Sequence, residues 1–280
     1  MKLKQKLRDL TNEKRGLLAT NFYNLETLHG VLQAAADLNE PLILQLTQSS
    51  IHYMGLDTAV KLGRVGLEQF GVEGFIHLDH GGSVDLVQRC LDAGFDSVMI
   101  DGSELSFEEN IKITQEVVER AQKYDAHVEA ELGYVAKLGQ SSEKQGFTQP
   151  EEAKRFVEET GIDALAVAIG TAHGFYKQEP NLDIELLARI HKATPATLVL
   201  HGGSGVPGEQ IQKAIDNGIC KVNLATEIKN IFMQTLQEQL ANNEEIDLRK
   251  VFPKATSQIT ELVKGKLAIV KNVKNVDALH

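Results

Sequence analysis

With 280 residues, 42% of them hydrophobic and 24% charged, the chain has enough apolar material for a large core, which argues against disorder. Its formal net charge of -10 argues against nucleic acid or an anionic membrane as the main partner, so any phosphate site must be local. No apolar run approaches the roughly 18 residues of a spanning helix, and Cys90 and Cys220 stand at no metal-binding spacing, as expected of free thiols in a reducing cytoplasm.

Residues 1–15 are charged, with Leu3, Leu7 and Leu10 at helical spacing and no apolar leader followed by a small-residue cleavage site. A helix docked on the fold is expected there. Eight β-rich runs follow: LLATNF (17–22), LILQLT (42–47), FIHLDH (75–80), SVMIDG (97–102), HVEAELG (127–133), ALAVAIG (164–170), TLVLHGG (197–203) and KVNLAT (221–226). Between them lie amphipathic segments, several opening on an acidic turn or proline and several closing on glycine, as helix ends require. Strands buried on both faces, each followed by a helix, imply a parallel sheet, and eight of them predict a single (β/α)8 TIM barrel over 1–280, with further helices in 227–280. Those last helices would extend the outer layer or mediate a subunit contact. The competing reading, an open doubly wound sheet, lacks its G-x-G-x-x-G fingerprint after the first strand, where the chain reads NFYNLETLHG.

The polar chemistry collects at the strands' carboxyl ends, which all rim one mouth of a barrel. Strand one ends at Asn21 and leads to Asn24, strand three ends at Asp79 and His80, strand four at Asp101, and strand five carries Glu129 and Glu131. His173 follows strand six, His201 ends strand seven, and Asn223 and Thr226 lie on strand eight. His80, His173 and His201 match the neutral nitrogen donors that a catalytic Zn2+ prefers, with a position open for substrate. The alternative is that each serves a hydrogen bond in a crowded rim. His77 shares a face with Asp79 and is read as a supporting partner, and His127 opens its strand at the opposite end. Glu129 and Glu131 share a face, either beside the metal or as a buried pair satisfied by Arg or Lys.

The stretch HGGSGVPGEQ puts Gly202, Gly203 and Ser204 ahead of a helix start at Pro207, where free N–H groups and the helix dipole favour an anion. Loops after strands seven and eight are the usual phosphate site of this architecture. Asp79, next to a candidate ligand, suits a general acid/base.

Taken together, HLDHG, MIDGS, VEAELG, AVAIGTAHGFYK, LVLHGGSG and KVNLATE resemble the class II, metal-dependent ketose-bisphosphate aldolases, which act on fructose or tagatose 1,6-bisphosphate. The resemblance runs in order over nearly the whole chain. It implies reversible cleavage to dihydroxyacetone phosphate and glyceraldehyde 3-phosphate, with Zn2+ as the Lewis acid that stabilises the enediolate. His80, His173 and His201 would hold that ion, Glu131 would be a resting-state ligand, and Asp101 would lie near a second position for a divalent or monovalent cation. Asp79 would exchange the C4 hydroxyl proton, while Gly174, Lys177, Gly202, Ser204, Asn223 and Thr226 would grip the dihydroxyacetone phosphate end. Ala225 is the residue type of tagatose-like members. A homodimer or homotetramer in the cytoplasm is implied as well.

Three stretches depart from the family pattern. The loop after strand five lacks a Gly-Gly-x-Glu-Asp element and leaves Glu143 as the acidic residue available for the C3 proton. QLTQSS after strand two differs from the usual phosphate contact, and Glu104 stands where a histidine is common. These departures keep open a non-catalytic accessory paralogue and an aldolase for a non-standard phosphorylated ketose. A zinc hydrolase is the third alternative, without its paired-metal motifs.

Overall fold

The computed structural model describes residues 2–133, 146–176, 180–241 and 243–272. Eight parallel strands close on themselves in chain order, with β8 hydrogen-bonded back to β1. They are β1 (Leu17–Asn21), β2 (Leu42–Thr47), β3 (Gly74–Gly81), β4 (Ser97–Ile100), β5 (His127–Leu132), β6 (Ala164–Val167), β7 (Thr197–Leu200) and β8 (Ile219–Leu224). The expected TIM barrel is therefore present.

Alternation along each strand sorts the side chains between two cores. Leu18, Leu44, Ile76, Val98, Val128, Leu165, Leu198 and Val222 point outward into the layer shared with the helices. Leu17, Ala19, Ile43, Phe75 and Cys220 point inward and meet Leu3, Leu7 and Leu10 of α1 (Leu3–Asn12), which stoppers the amino-terminal end. Burying three leucines contributes about 1.5–3 kcal/mol apiece, enough to seat a short charged helix.

The outer ring comprises α2 (Leu25–Leu38), α3 (Gln48–Met54), α4 (Leu56–Phe70), α5 (Val84–Asp92), α6 (Phe107–Gln122), α7 (Pro150–Thr160), α8 (Ile184–Ala193) and α9 (Gly208–Asp216). Asn24, Ser83, Ser106 and Asp183 cap α2, α5, α6 and α8 with side-chain oxygens, while α7 starts on Pro150. Pro207 is the cap of α9 rather than its first residue. QLTQSS is not only a loop, because Thr47 accepts from the Ser50 N–H and starts α3. At the carboxyl end come α10 (Thr226–Leu240) and α11 (Leu248–Lys271). The latter is capped by Asp247 and carries Pro253 inside its first turns. Among the described residues no helix is long and apolar enough to cross a membrane.

Two register shifts position the site. Between β3 and β4 the pairing slips after Leu78, and His80 takes the left-handed φ of 50°. This turn lets the consecutive residues Asp79 and His80 both serve the mouth, which strict alternation forbids. Gly81 must follow, since a Cβ there would lie 2.4 Å from the Met99 carbonyl oxygen. Between β7 and β8, Leu198 pairs with Ile219 but Val199 pairs with Lys221. Cys220 is the extra residue, so Cys220 and Lys221 both face inward. The sequence placed the start of this strand at Lys221; it lies at Ile219.

Candidate active site

His80 at the end of β3, His173 in the segment after β6 and His201 just past β7 bring their metal-ligating atoms within 4.8 Å of one another. His201 Nδ1 lies 3.1 Å from His80 Nε2. Each of these two rings uses its other nitrogen on a carboxylate: His80 Nδ1 donates to Asp101 Oδ2 at 2.7 Å and His201 Nε2 to Glu129 Oε1 at 2.9 Å. Such bonds fix which nitrogen faces a cation. Asp101 is therefore placed behind His80, held by the Ser103 N–H and O–H, and is not one of the clustered ligands. Glu131 Oε2 is buried without a hydrogen-bond partner, 3.5 Å from His201 Nδ1.

The electrostatics follow from burial against these neighbours. Burial, reinforced by the charges of His201 and His80, pushes His173 down to about 3. For His80 burial works the other way from the net result: the carboxylates of Asp79, Asp101 and Glu131 outweigh it and raise the ring to about 9. Burial lifts Glu131 to about 7 against the pull of His201 and His80. Three convergent imidazoles and an orphaned carboxylate oxygen are a donor set that fits a divalent cation such as Zn2+.

Asp79 is 5% exposed, with Oδ1 3.9 Å from His80 Nε2. That oxygen accepts from Gln45 Nε2 at 3.2 Å and Asn223 Nδ2 at 3.4 Å. Burial raises the Asp79 carboxyl, but the charges of His80, His201, Lys221 and His77 overcome it and keep it below the usual carboxylate range. An ionised carboxylate thus stands beside the imidazole cluster without belonging to it.

The sequence model of the family described as class II fructose-bisphosphate aldolase matches residues 1–275. This chain belongs to that family. The YdjI aldolase from Escherichia coli K12 is 31% identical with a TM-score of 0.87, over 96% of this chain and 97% of that one. A candidate fructose-1,6-bisphosphate aldolase from Coccidioides immitis is 27% identical with a TM-score of 0.88, over 98% and 97% of the two chains. The fructose-bisphosphate aldolase from Campylobacter jejuni, 22% identical over 98% and 95%, shares the fold at a TM-score of 0.81.

Beside the imidazole trio of this member of the class II aldolase family, the glycine-rich segment after β7 meets the start of α10. Gly203 N–H donates to the Asn223 carbonyl, and Ser204 Oγ accepts from the N–H groups of Ala225 and Glu227 at 3.4 Å. Ala225 caps α10 and Thr226 is its first residue, so Gly202, Gly203, Ser204, Asn223, Ala225 and Thr226 form one cluster. Glu227 secures it from behind, accepting from Gly205 N–H at 2.8 Å and pairing with Lys266. Tyr176 ties in the segment after β6: its hydroxyl accepts from Ala172 N–H and donates to the Gly202 carbonyl, each at 2.8 Å. Gly174, at φ 97°, lies in the same segment. Gly202 has φ 67°, and a Cβ on it would sit 2.4 Å from the Ala172 carbonyl oxygen. Gly202→Ala is accordingly expected to destabilise the protein by at least about 1–2 kcal/mol from the left-handed backbone alone, and to raise KM through the displaced loops. Urea melts together with steady-state kinetics check both effects.

Other predicted residues are placed differently. Asn24 Oδ1 accepts from Thr27 N–H as the cap of α2, whereas both polar side-chain atoms of Asn21 are buried in the barrel without a partner. Of the two glutamates on β5, Glu129 is the paired one, its cation coming across the barrel from Lys221, and Glu131 faces the imidazoles. Glu143 and Lys177 lie outside the described residues. Gln45, Tyr176 and Lys221 were not singled out from the sequence. Period two does place Gln45 on the inner face, but nothing local marks the other two. Two cavities meet at His80: one of about 880 Å3 reaching Thr47, His52, Ser83 and Arg89, and one of about 490 Å3 reaching Asp101, Glu104 and His173.

Proposed function

We propose that this chain is a zinc-dependent lyase that reversibly cleaves a ketose 1,6-bisphosphate, fructose or tagatose, to dihydroxyacetone phosphate and glyceraldehyde 3-phosphate. The observation that carries the reading is the convergence of three imidazoles within 4.8 Å, with the Asp79 carboxylate 3.9 Å from one of them. His80, His173 and His201 would hold the ion, with Glu131 as a further donor. When bound, the cation supplies Lewis-acid polarisation of the C2 carbonyl. Asp79 takes the C4 hydroxyl proton as the C3–C4 bond breaks and C4 leaves as the aldehyde. The electron pair of that bond passes toward C2, and protonation at C3 completes the ketone. We assign that second proton transfer to the segment after β5, which carries Glu143. The cluster from Gly202 to Thr226, with Gly174 and Lys177, would hold the C1 phosphate, and Gln45 and Asn223 orient Asp79.

A homodimer or homotetramer is part of the proposal, supported by the exposed apolar side chains Leu240, Ile246 and Leu248 at the junction of α10 and α11. The unpaired, buried Cys90 and Cys220 support a cytoplasmic setting. The decisive experiment is a coupled cleavage assay with both bisphosphates on one preparation, before and after chelation, with metal content counted in parallel. Activity that disappears with the metal and returns with Zn2+ or Co2+ is expected. Cleavage indifferent to chelation, or none with either sugar in zinc-loaded protein, overturns the assignment.

A further inference from the structure

Below the imidazole trio a buried polar line runs along the inside of the barrel. Lys221 on β8 donates to Glu129 Oε2 at 2.7 Å, and the other oxygen of that carboxylate receives His201 Nε2–H at 2.9 Å. The same ammonium donates to His77 Nε2 at 3.3 Å, and beyond it His77 Nδ1 and Ser97 Oγ are 2.8 Å apart, with His127 Nδ1 3.3 Å from that hydroxyl. Every member is at most 5% exposed. Barrel interiors at this depth are ordinarily filled with branched apolar side chains.

A buried lysine–glutamate pair is weak evidence for stability, because two apolar residues of similar volume often do as well or better. Its geometric effect here is specific. The β7–β8 register shift turns Lys221 inward, and Lys221 anchors one oxygen of Glu129 so that the other faces His201. His201 then has only Nδ1 to offer the site, 3.1 Å from His80 Nε2 and 3.5 Å from Glu131 Oε2. Which nitrogen an imidazole presents to a cation is set by the hydrogen bond on the other.

We infer that Lys221 is a positioning residue that acts through Glu129 to hold His201 with Nδ1 toward the other two imidazoles, and so sets the affinity of the site for its divalent cation. The inference rests on reading the trio as a cation site. It is tested by the Zn2+ dissociation constant from chelating-dye competition, by the visible spectrum of Co2+-loaded protein, and by urea melts of the metal-free form. Lys221→Met is expected to weaken Zn2+ binding about 10–100-fold and to alter the Co2+ bands. Glu129→Gln should act similarly, and the double variant should bind no more weakly than the worse single one, because both changes break one link. A folded Lys221→Met with wild-type affinity, or losses that add in the double variant, overturns the inference. Should Lys221→Met fail to fold, Glu129→Gln decides alone, and wild-type affinity in it is the overturning result. Wild-type protein that binds no Zn2+ removes the cation site itself, and the inference with it; wild-type binding with unaltered variants removes only the link.

Discussion

Replacing Asp79 by alanine is expected to lower turnover about 10²–10⁴-fold, the range of a positioned general acid/base, while the bound metal stays. The carboxylate is outside the imidazole cluster yet 3.9 Å from His80 Nε2, so its removal takes away the proposed proton acceptor and spares the three imidazoles proposed to hold the cation. Its low pKa keeps it ionised and ready to accept at neutral pH, with His80, His201, Lys221 and His77 prevailing over burial. Alanine also leaves the Gln45 and Asn223 amide groups without their acceptor, at about 1–3 kcal/mol each if they stay buried and unpaired. Asp79→Asn separates the two effects, since it keeps the volume and a carbonyl acceptor for Gln45 and Asn223 while losing the charge and the basic oxygen. Kinetics and metal content measured on the same samples decide the matter. Near-normal turnover in a metal-loaded variant removes Asp79 from the chemistry.

The second large effect concerns acid. The metal-free protein is expected to lose about 4 kcal/mol of stability between pH 6.5 and 4.5, from roughly 1.4 kcal/mol per proton and pH unit. Burial holds His77 at about 3, His127 at about 4 and His173 at about 3, against the ordinary 6.5 of a solvated imidazole. A buried neutral histidine contributes stability that is whole above the unfolded pKa and fades as pH falls toward the folded one. Glu131, raised to about 7 from 4.5, works in the opposite direction and gains as pH drops through that window. Three groups against one leave nearly two more protons on the unfolded chain. His80, raised to about 9 from 6.5, keeps its full contribution below 6.5 and loses it only on the alkaline side. Maximum stability therefore falls near pH 6.5. Urea unfolding of chelated protein at pH 4.5, 6.5 and 9 measures the profile, and a flat acid limb would mean that these imidazoles are not held neutral. A loss of this size is comparable to the entire stability of a marginal domain, about 5–15 kcal/mol.

The barrel was legible because strand periodicity and helix-end chemistry repeat eight times, and each repeat is a local property of the chain. The imidazole trio was legible because carboxyl ends of strands must share one rim, whatever their separation in sequence. Lys221 was not. A lysine at the edge of an apolar run reads as the solvated start of a strand, and only the one-residue slip at Cys220, a property of two paired strands, turns it inward. The same limit separates Asn24 from Asn21: both follow the first strand's pattern, but a cap depends on the Thr27 N–H arriving three residues on, and an orphaned amide depends on neighbours from other strands. Glu129 and Glu131 share a face and a composition, and what distinguishes them is the cation that crosses the barrel to one and not the other.

The left-handed backbone of His80 has a consequence for anyone improving this protein. A histidine held at φ 50° carries strain of about 1–3 kcal/mol, which glycine would relieve. Directed evolution for heat tolerance alone would reward that exchange and discard one of the three clustered imidazoles. Thermal screens on this scaffold need a second selection for catalysis, or position 80 must be frozen in the library.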